Sequence, residues 1–248
     1  MNELSAIRGG DDSSPHAALH DLQEFLAKAL RNRQVRIYEA GGGSASALPL
    51  ASLNRGSIVV VDIDETQLSN NHYADCKILG DIQTHEFPSD SFDVVVCYNV
   101  IEHLVDPDQA IRQFHHALAP GGLLCIGAPN PGSLSGIVTK HTPHWFHVWF
   151  YRVILRKRNA GMPGQAPFRT IYHPIVSPRA LLAFCSTLGL EATYFNLYIG
   201  YMYTSSMETR PLIGWLLAAA IRFMNALTFN RFKLEYGDYH MVLQKPPQ

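Results

Sequence analysis

The sequence predicts an α/β fold built on a doubly wound, mostly parallel sheet with helical cap insertions. Three observations carry this expectation. Residues 35–43, Val-Arg-Ile-Tyr-Glu-Ala-Gly-Gly-Gly, pair a short apolar run with a glycine cluster, and a strand followed by a glycine turn and a helix is how such a sheet opens its ligand crevice. Continuous Val/Ile/Cys runs recur at 57–62, 92–98 and 123–128, the mark of strands covered on both faces. Segments of helical period alternate with these runs, which favours parallel crossovers.

Each element follows in order. Residues 16–33 set Leu19, Leu22, Phe25, Leu26 and Leu30 at helical spacing, so an amphipathic helix is expected. The first strand is 35–39. Alanine-rich 45–53 reads as a helix, Ser57–Asp62 as a strand, Glu65–Asn71 as the start of a helix and Lys77–Leu79 as a short strand. Phe92–Tyr98 is a strand, and Pro107–Leu118 a helix with Ala110, Ile111, Phe114 and Leu118 on one face, closed by Pro120-Gly121-Gly122. Leu123–Ala128 is the next strand. Ser177-Pro178 starts a helix that Gly189 stops; Glu191–Leu197 and Tyr239–Gln244 read as strands. Regularity breaks at 129–176 and again at 198–235, which are taken as cap inserts in a single domain spanning 16–248, with 1–15 a flexible N-terminus.

The totals narrow the function classes. At 248 residues and 47% hydrophobic, the chain is large enough to bury a sizeable core. A net charge of −1 without a long basic stripe argues against nucleic acid as a partner. Met1–Pro15 is polar, holds Asp11 and Asp12 and has no apolar stretch, so no secretory signal is expected. Cys76, Cys97, Cys125 and Cys185 show no CxxC spacing; buried, reduced thiols in a cytoplasmic protein are expected, and no metal site.

Acidic residues mark the ends of successive predicted strands. Gly41, Gly42 and Gly43 let a ligand approach bare backbone N–H groups. Glu39 beside them disfavours a pyrophosphate and favours an ammonium group. Asp62 falls about twenty residues past the first glycine, where a carboxylate accepts from both ribose hydroxyls; Asp64 competes for that place, and a helix N-cap is the plainer alternative. Asp81 beside Ile82 suits an adenine, or is a turn aspartate. A cation, a ribose and an adenine without phosphate are the parts of S-adenosylmethionine. A nicotinamide-dependent oxidoreductase is the rival, but neither a complete G-x-G-x-x-G nor a Tyr-x-x-x-Lys pair is found.

With those residues in place, the chain resembles the class I S-adenosylmethionine-dependent methyltransferases. The matching stretches are YEAGGG at 38–43, VVVDIDETQL at 59–68, GDI at 80–82, FPSDSFDVVVCYNVIEHLVDPDQAI at 87–111, LAPGGLLCIGAPNP at 118–131 and YHPIVSPRALLAFCSTLGLEA at 172–192. The resemblance implies a seven-stranded sheet with its last strand antiparallel. It implies Glu39, Gly41 and Gly43 at the methionine part, Asp62 at the ribose, Ile63 against the adenine, and Asp81 and Ile82 flanking the adenine. Tyr98 and Asn99 border the sulfonium and the acceptor pocket. Position 45 is alanine where the family often has a third glycine, so the following helix is expected to start differently.

Methyl transfer needs alignment, exclusion of water and, for a hydroxyl or protonated nitrogen, a base. The candidates are His103, His144 and His173. In some relatives an acidic–x–x–Glu–His pattern at this place binds a divalent metal; here Asn99 takes the acidic position, so no metal is expected. The aromatic segment TKHTPHWFHVWFYR at 139–152 suits a lid over an apolar or planar small-molecule acceptor, or a packed cap without chemistry. Residues 212–229 are apolar but for Arg222, Asn225 and Thr228. They are too short and interrupted for a span and fit the core, a homodimer contact or a peripheral membrane contact aided by Arg152, Arg156, Lys157 and Arg158. The expected function is methyl transfer to a small molecule, oxygen ranking ahead of nitrogen and carbon, in secondary metabolism or in tailoring cell-surface glycans or lipids. A non-catalytic protein retaining the fold is the remaining alternative.

Overall fold

The computed structural model describes residues 14–31, 33–50, 53–229 and 234–247. The expectation for residues 1–13 lies outside the described residues.

Seven strands form one sheet: β1 Val35–Ala40, β2 Arg55–Asp62, β3 Cys76–Leu79, β4 Phe92–Tyr98, β5 Leu118–Pro129, β6 Glu191–Tyr198 and β7 Asp238–Gln244. Their order is β3-β2-β1-β4-β5-β7-β6. The β1–β5 pairs are parallel, and β7 runs antiparallel to both β5 and β6, as the family resemblance implied. The order reverses at β1 and β4, the switch point at which such sheets bind ligands outside the carboxyl ends of their strands.

Period-2 alternation sends side chains into two cores. One face carries Tyr38, Val61, Val95, Cys97 and Met241 and is covered by α3 (Pro107–Ala117) and α6 (Pro178–Thr187). The other carries Ile37, Val60, Val94, Val96 and Val242 and is covered by α1 (Pro15–Ala29) through Leu22 and Leu26. The α1 start is capped by Ser14, whose Oγ accepts from the Ala17 N–H at 3.2 Å, with proline in the first turn. Cys97, Cys125 and Cys185 are buried and reduced; Cys76 is exposed, against expectation.

The helix expected at 45–53 does not form in its described residues. Alanine propensity loses to local side-chain chemistry. Ser46 turns its hydroxyl to Glu39 and accepts from the Leu48 N–H at 3.1 Å, and Pro49 has no N–H to continue a ladder. Leu48 and Leu50 instead fill the α1-side core. A second difference lies at β5, which begins at Leu118 rather than Leu123. Phe92 pairs with Leu118 and Val94 with Leu123, so residues 119–122 loop out where a turn was expected.

The cap segments are largely helical. Short α2 (Glu65–Ser69) follows β2. After β5 come α4 (Leu134–His141) and α5 (His144–Val153); after β6 come α7 (Tyr201–Thr209) and α8 (Pro211–Leu227). Among the described residues no helix is long and apolar enough to cross a membrane.

Gly127 tests how closely the sheet packs under β4. A Cβ placed there would overlap the Tyr98 ring, so Gly127→Ala should cost about 1–3 kcal/mol of stability. An unchanged urea midpoint would contradict this packing.

Candidate active site

The site is assembled at the carboxyl ends of β1, β2 and β4. Glu39 is the penultimate residue of β1, and its side chain is only 2% exposed. Oε1 accepts from Ser46 Oγ and Oε2 from Tyr73 OH, both at 2.6 Å. Both donors are neutral, and among the described residues Glu39 has no ion pair. Burial therefore raises its pKa, although the two hydrogen bonds pull the other way. The same burial, with the Glu39 charge beside it, holds the Tyr73 phenol far above its ordinary range.

The glycine loop is built tightly onto these groups. Gly41 and Gly43 have φ of 71° and 51°, which a side chain rarely tolerates. A Cβ on Gly42 would meet Tyr73 OH at 2.6 Å, and one on Gly41 would meet Val100 Cγ2 at 2.5 Å. Asn71 donates to the Gly43 carbonyl at 2.6 Å, and the Gly43 N–H donates to Asp62 Oδ2 at 2.9 Å.

Asp62 ends β2. Its other oxygen, Oδ1, accepts from the Asp64 N–H at 2.8 Å. Each carboxylate oxygen thus keeps a lone pair for a further donor. The competing acid, Asp64, caps α2 by accepting from Thr66 and Gln67 N–H groups. Ile63, just beyond Asp62, is 75% exposed and presents a free apolar face. Asp81 is held by the Gln83 backbone N–H and side-chain amide at 2.9–3.0 Å. Ile82 is buried and packs in the core on the α3 side.

At the end of β4 the Tyr98 phenol turns to the α1 side, with its ring 5.5 Å from His240. Its hydroxyl is buried and has no hydrogen-bond partner. Asn99 is exposed with φ of 54°, and its N–H donates to the Gly127 carbonyl at 2.8 Å. Asparagine tolerates this left-handed turn better than most residues.

The three histidines are not gathered at one point. His103 follows β4 in the 3-10 turn Ile101–His103, and its Nδ1 lies 2.8 Å from the Arg169 carbonyl. His173 caps the turn Pro174–Val176, where its Nδ1 accepts from the Ile175 N–H at 3.4 Å. His144 is exposed at the start of α5, in an open groove shared with Trp145, Trp149 and Arg152.

Two carboxyls escaped the sequence analysis. Glu102 is 4% exposed, and its Oε2 has no hydrogen-bond partner. Burial, with the Asp238 charge added, pushes its pKa up to about 8. Asp238 opens β7 opposite Pro129, accepts from the Tyr201 N–H at 3.0 Å, and is pushed by burial up to about 6. Burial and these two charges also raise Tyr172. Glu102 Oε1 lies 3.6 Å from His103 Nε2, beyond hydrogen-bond range. Burial disfavours charge on both, so the contact is neutral. The His-adjacent Glu102 was visible only as part of a possible metal pattern, and Asp238 only as the residue before the last strand. Their proximity is a product of the fold. Among the described residues no group of three or more His, Cys, Asp or Glu side chains is placed to hold a metal ion.

The fold is that of the class I Rossmann-like methyltransferases. The methyltransferase domain family matches residues 38–126. A probable S-adenosylmethionine-dependent methyltransferase of Mycobacterium tuberculosis is 31% identical over 114 residues, 43% of this chain and 42% of its own length. A ubiquinone biosynthesis O-methyltransferase of Pseudomonas aeruginosa is 29% identical over 143 residues, 52% of this chain and 60% of its own. The chain thus spans about half the length of these curated relatives. The crystal structure of a SAM-dependent methyltransferase from Archaeoglobus fulgidus shares the fold, with a TM-score of 0.56 at 16% identity over 94% of this chain and 95% of that one. Residues 38–126 are thus similar to the methyltransferase domain family, and the fold is shared with solved S-adenosylmethionine-dependent methyltransferases.

Glu102 makes stability depend on pH in a defined direction. Its folded pKa of about 8 exceeds the ordinary 4.5, so ionisation is penalised only in the folded state. The native state therefore loses stability as pH rises from about 4.5 to about 8. Glu102→Gln should flatten that slope in urea titrations at pH 5, 6.5 and 8; an unaltered slope would show that Glu102 titrates normally.

Proposed function

We propose that this chain transfers a methyl group from S-adenosylmethionine to a hydroxyl of a small-molecule acceptor. The observation that carries the proposal is the buried Glu39 carboxylate with only neutral donors. A buried anion of this kind gains from a cation, and the α-ammonium of the donor is one. Asp62, with a lone pair on each oxygen, suits the ribose hydroxyls. Exposed Ile63 gives the adenine an apolar surface, and Asp81 lies at the same sheet edge. Gly41, Gly42 and Gly43 bring backbone to the methionine part, with Asn99 on the acceptor side; Tyr98, its phenol buried on the α1 side, does not line the acceptor pocket. When bound, the donor supplies an activated methyl carbon on a sulfonium centre.

The chain's own work is alignment and proton removal. We assign proton removal to the Asp238–Glu102 pair rather than to His103, His144 or His173. His173 is engaged with backbone, His103 lies beside a backbone carbonyl and an un-ionised carboxyl, and His144 stands in open solvent. A carboxyl poised near 6 is ionised at neutral pH and still basic enough to take a hydroxyl proton as the oxygen bonds to carbon. The O-methyltransferase among the relatives agrees with oxygen as the acceptor atom.

Calorimetry with S-adenosylhomocysteine tests the donor half. Glu39→Gln and Asp62→Ala should each weaken binding by roughly tenfold or more while the fold holds; unchanged affinity in both would remove the assignment. With a panel of phenolic and polyol acceptors, kcat/KM should rise from pH 5 to 7 as Asp238 ionises. Asp238→Asn should abolish that limb. A surviving limb would exclude Asp238 as the base.

A further inference from the structure

All three tryptophans of the chain lie on the cap, and all are exposed: Trp145 by 69%, Trp149 by 45% and Trp215 by 62%. Tryptophan is ordinarily well buried in a protein's own interior. Here the rings fall in two outward stripes. On α5, Trp145, Trp149 and Val153 recur every four residues, and the helix buries none of its side chains. On α8, Gly214, Ala218, Ile221 and Asn225 face inward, Gly214 packing against Met207 of α7. Leu212, Trp215, Leu216, Phe223 and Leu227 are left in solvent. The stripes adjoin, because Arg210 and Thr209 at the α7–α8 joint donate to the carbonyls of Val153 and Ile154 at 3.3 and 3.2 Å.

Charge follows the same boundary. Residues 134–172 hold Lys140, Arg152, Arg156, Lys157, Arg158 and Arg169 and no Asp or Glu, in a chain with 20 Lys+Arg against 21 Asp+Glu. All six are exposed. Between 199 and 229 the only acid is Glu208.

We propose that this face of the cap docks on the surface of an anionic lipid bilayer, with the tryptophan rings in the headgroup layer and the basic side chains against lipid phosphates. Apolar stripes alone fit a second copy of the chain equally well. The charge decides between them: a symmetric dimer through this face would set one basic cap against another, whereas anionic lipid complements it. Docking is peripheral, since no described helix is long and apolar enough to cross. The half-buried Tyr151, on the same helix α5, lies within reach of the Asp238 charge, so the crevice adjoins the docked face. On the methyl-transfer proposal, which this extension rests on, the acceptor class is then amphipathic: its hydroxyl reaches Asp238 while its apolar part stays in the lipid.

Intrinsic fluorescence reads docking directly, because every tryptophan is on the face. The full chain is titrated with phosphatidylcholine vesicles containing roughly one-third phosphatidylglycerol and with phosphatidylcholine alone. A blue shift and co-flotation are expected with the anionic vesicles, and at least about tenfold weaker partition on the neutral ones. Trp145→Ala/Trp215→Ala and Arg156→Glu/Arg158→Glu should each lose about tenfold in flotation while keeping affinity for S-adenosylhomocysteine, which shows that they fold. No flotation and no shift would overturn docking, as would a stable dimer by light scattering whose emission is already blue without lipid. Flotation without donor affinity would instead sink the methyl-transfer proposal and leave docking standing.

Discussion

A buried carboxylate without a cation is the constraint around which the crevice is organised. Glu39 sits at the carboxyl end of a central strand, out of water, and among the described residues is held by Ser46 and Tyr73. Two neutral hydrogen bonds stabilise an anion less than a charge does. The surrounding chain accepts that cost in its geometry: the helix expected after β1 is given up so that Ser46 can reach back, and Tyr73 is drawn in from the loop before β3. The glycine loop closes over this arrangement because no side chain fits between Val100, Tyr73 and the Glu39 stem.

From that point the sheet does the rest by register. Parallel pairing places Glu39 beside Val60 and Val96, so the strand ends carrying Glu39, Asp62 and Tyr98 advance together to one edge. The antiparallel last strand begins at the same edge, which brings Asp238 opposite Pro129 and near Glu102. Two environments result. On the methyl-transfer proposal, the donor end is rich in backbone N–H groups and carboxyl oxygens, and the acceptor end has carboxyls whose titration burial moves toward neutral pH. Separating the two is what a transfer between a cationic donor and a protic acceptor requires.

The strands were legible because Val, Ile and Cys runs leave little choice: Phe92–Tyr98 is a strand in both accounts, and the last strand differs only by Asp238 at its start. The strand-end acids were legible too, since their spacing from the glycines is a local signal. What the sequence concealed was tertiary. Alanines at 45 and 47 advertise a helix that Ser46 and Pro49 prevent. The histidines attracted attention as titratable groups, yet their surroundings tie two of them to main chain and leave the third in solvent. Glu102 and Asp238 matter only together, and nothing local announces that the fold brings the Asp238 charge within range of Glu102. The aromatic cap segment supplies α5 of the expected helical insertions, with Trp145, Trp149 and Val153 on its exposed stripe.

The central claim is that Glu39 takes up the donor's ammonium as an ionised partner. Burial raises its pKa in the free protein, and a bound cation lowers it again. Binding of S-adenosylhomocysteine, followed from acidic to neutral pH, should therefore release protons from the wild-type chain. Calorimetry in buffers of different ionisation enthalpy measures that release. A release that vanishes in Glu39→Gln is the predicted result; binding heats independent of buffer, with an affinity that Glu39→Gln leaves unchanged, would contradict the account.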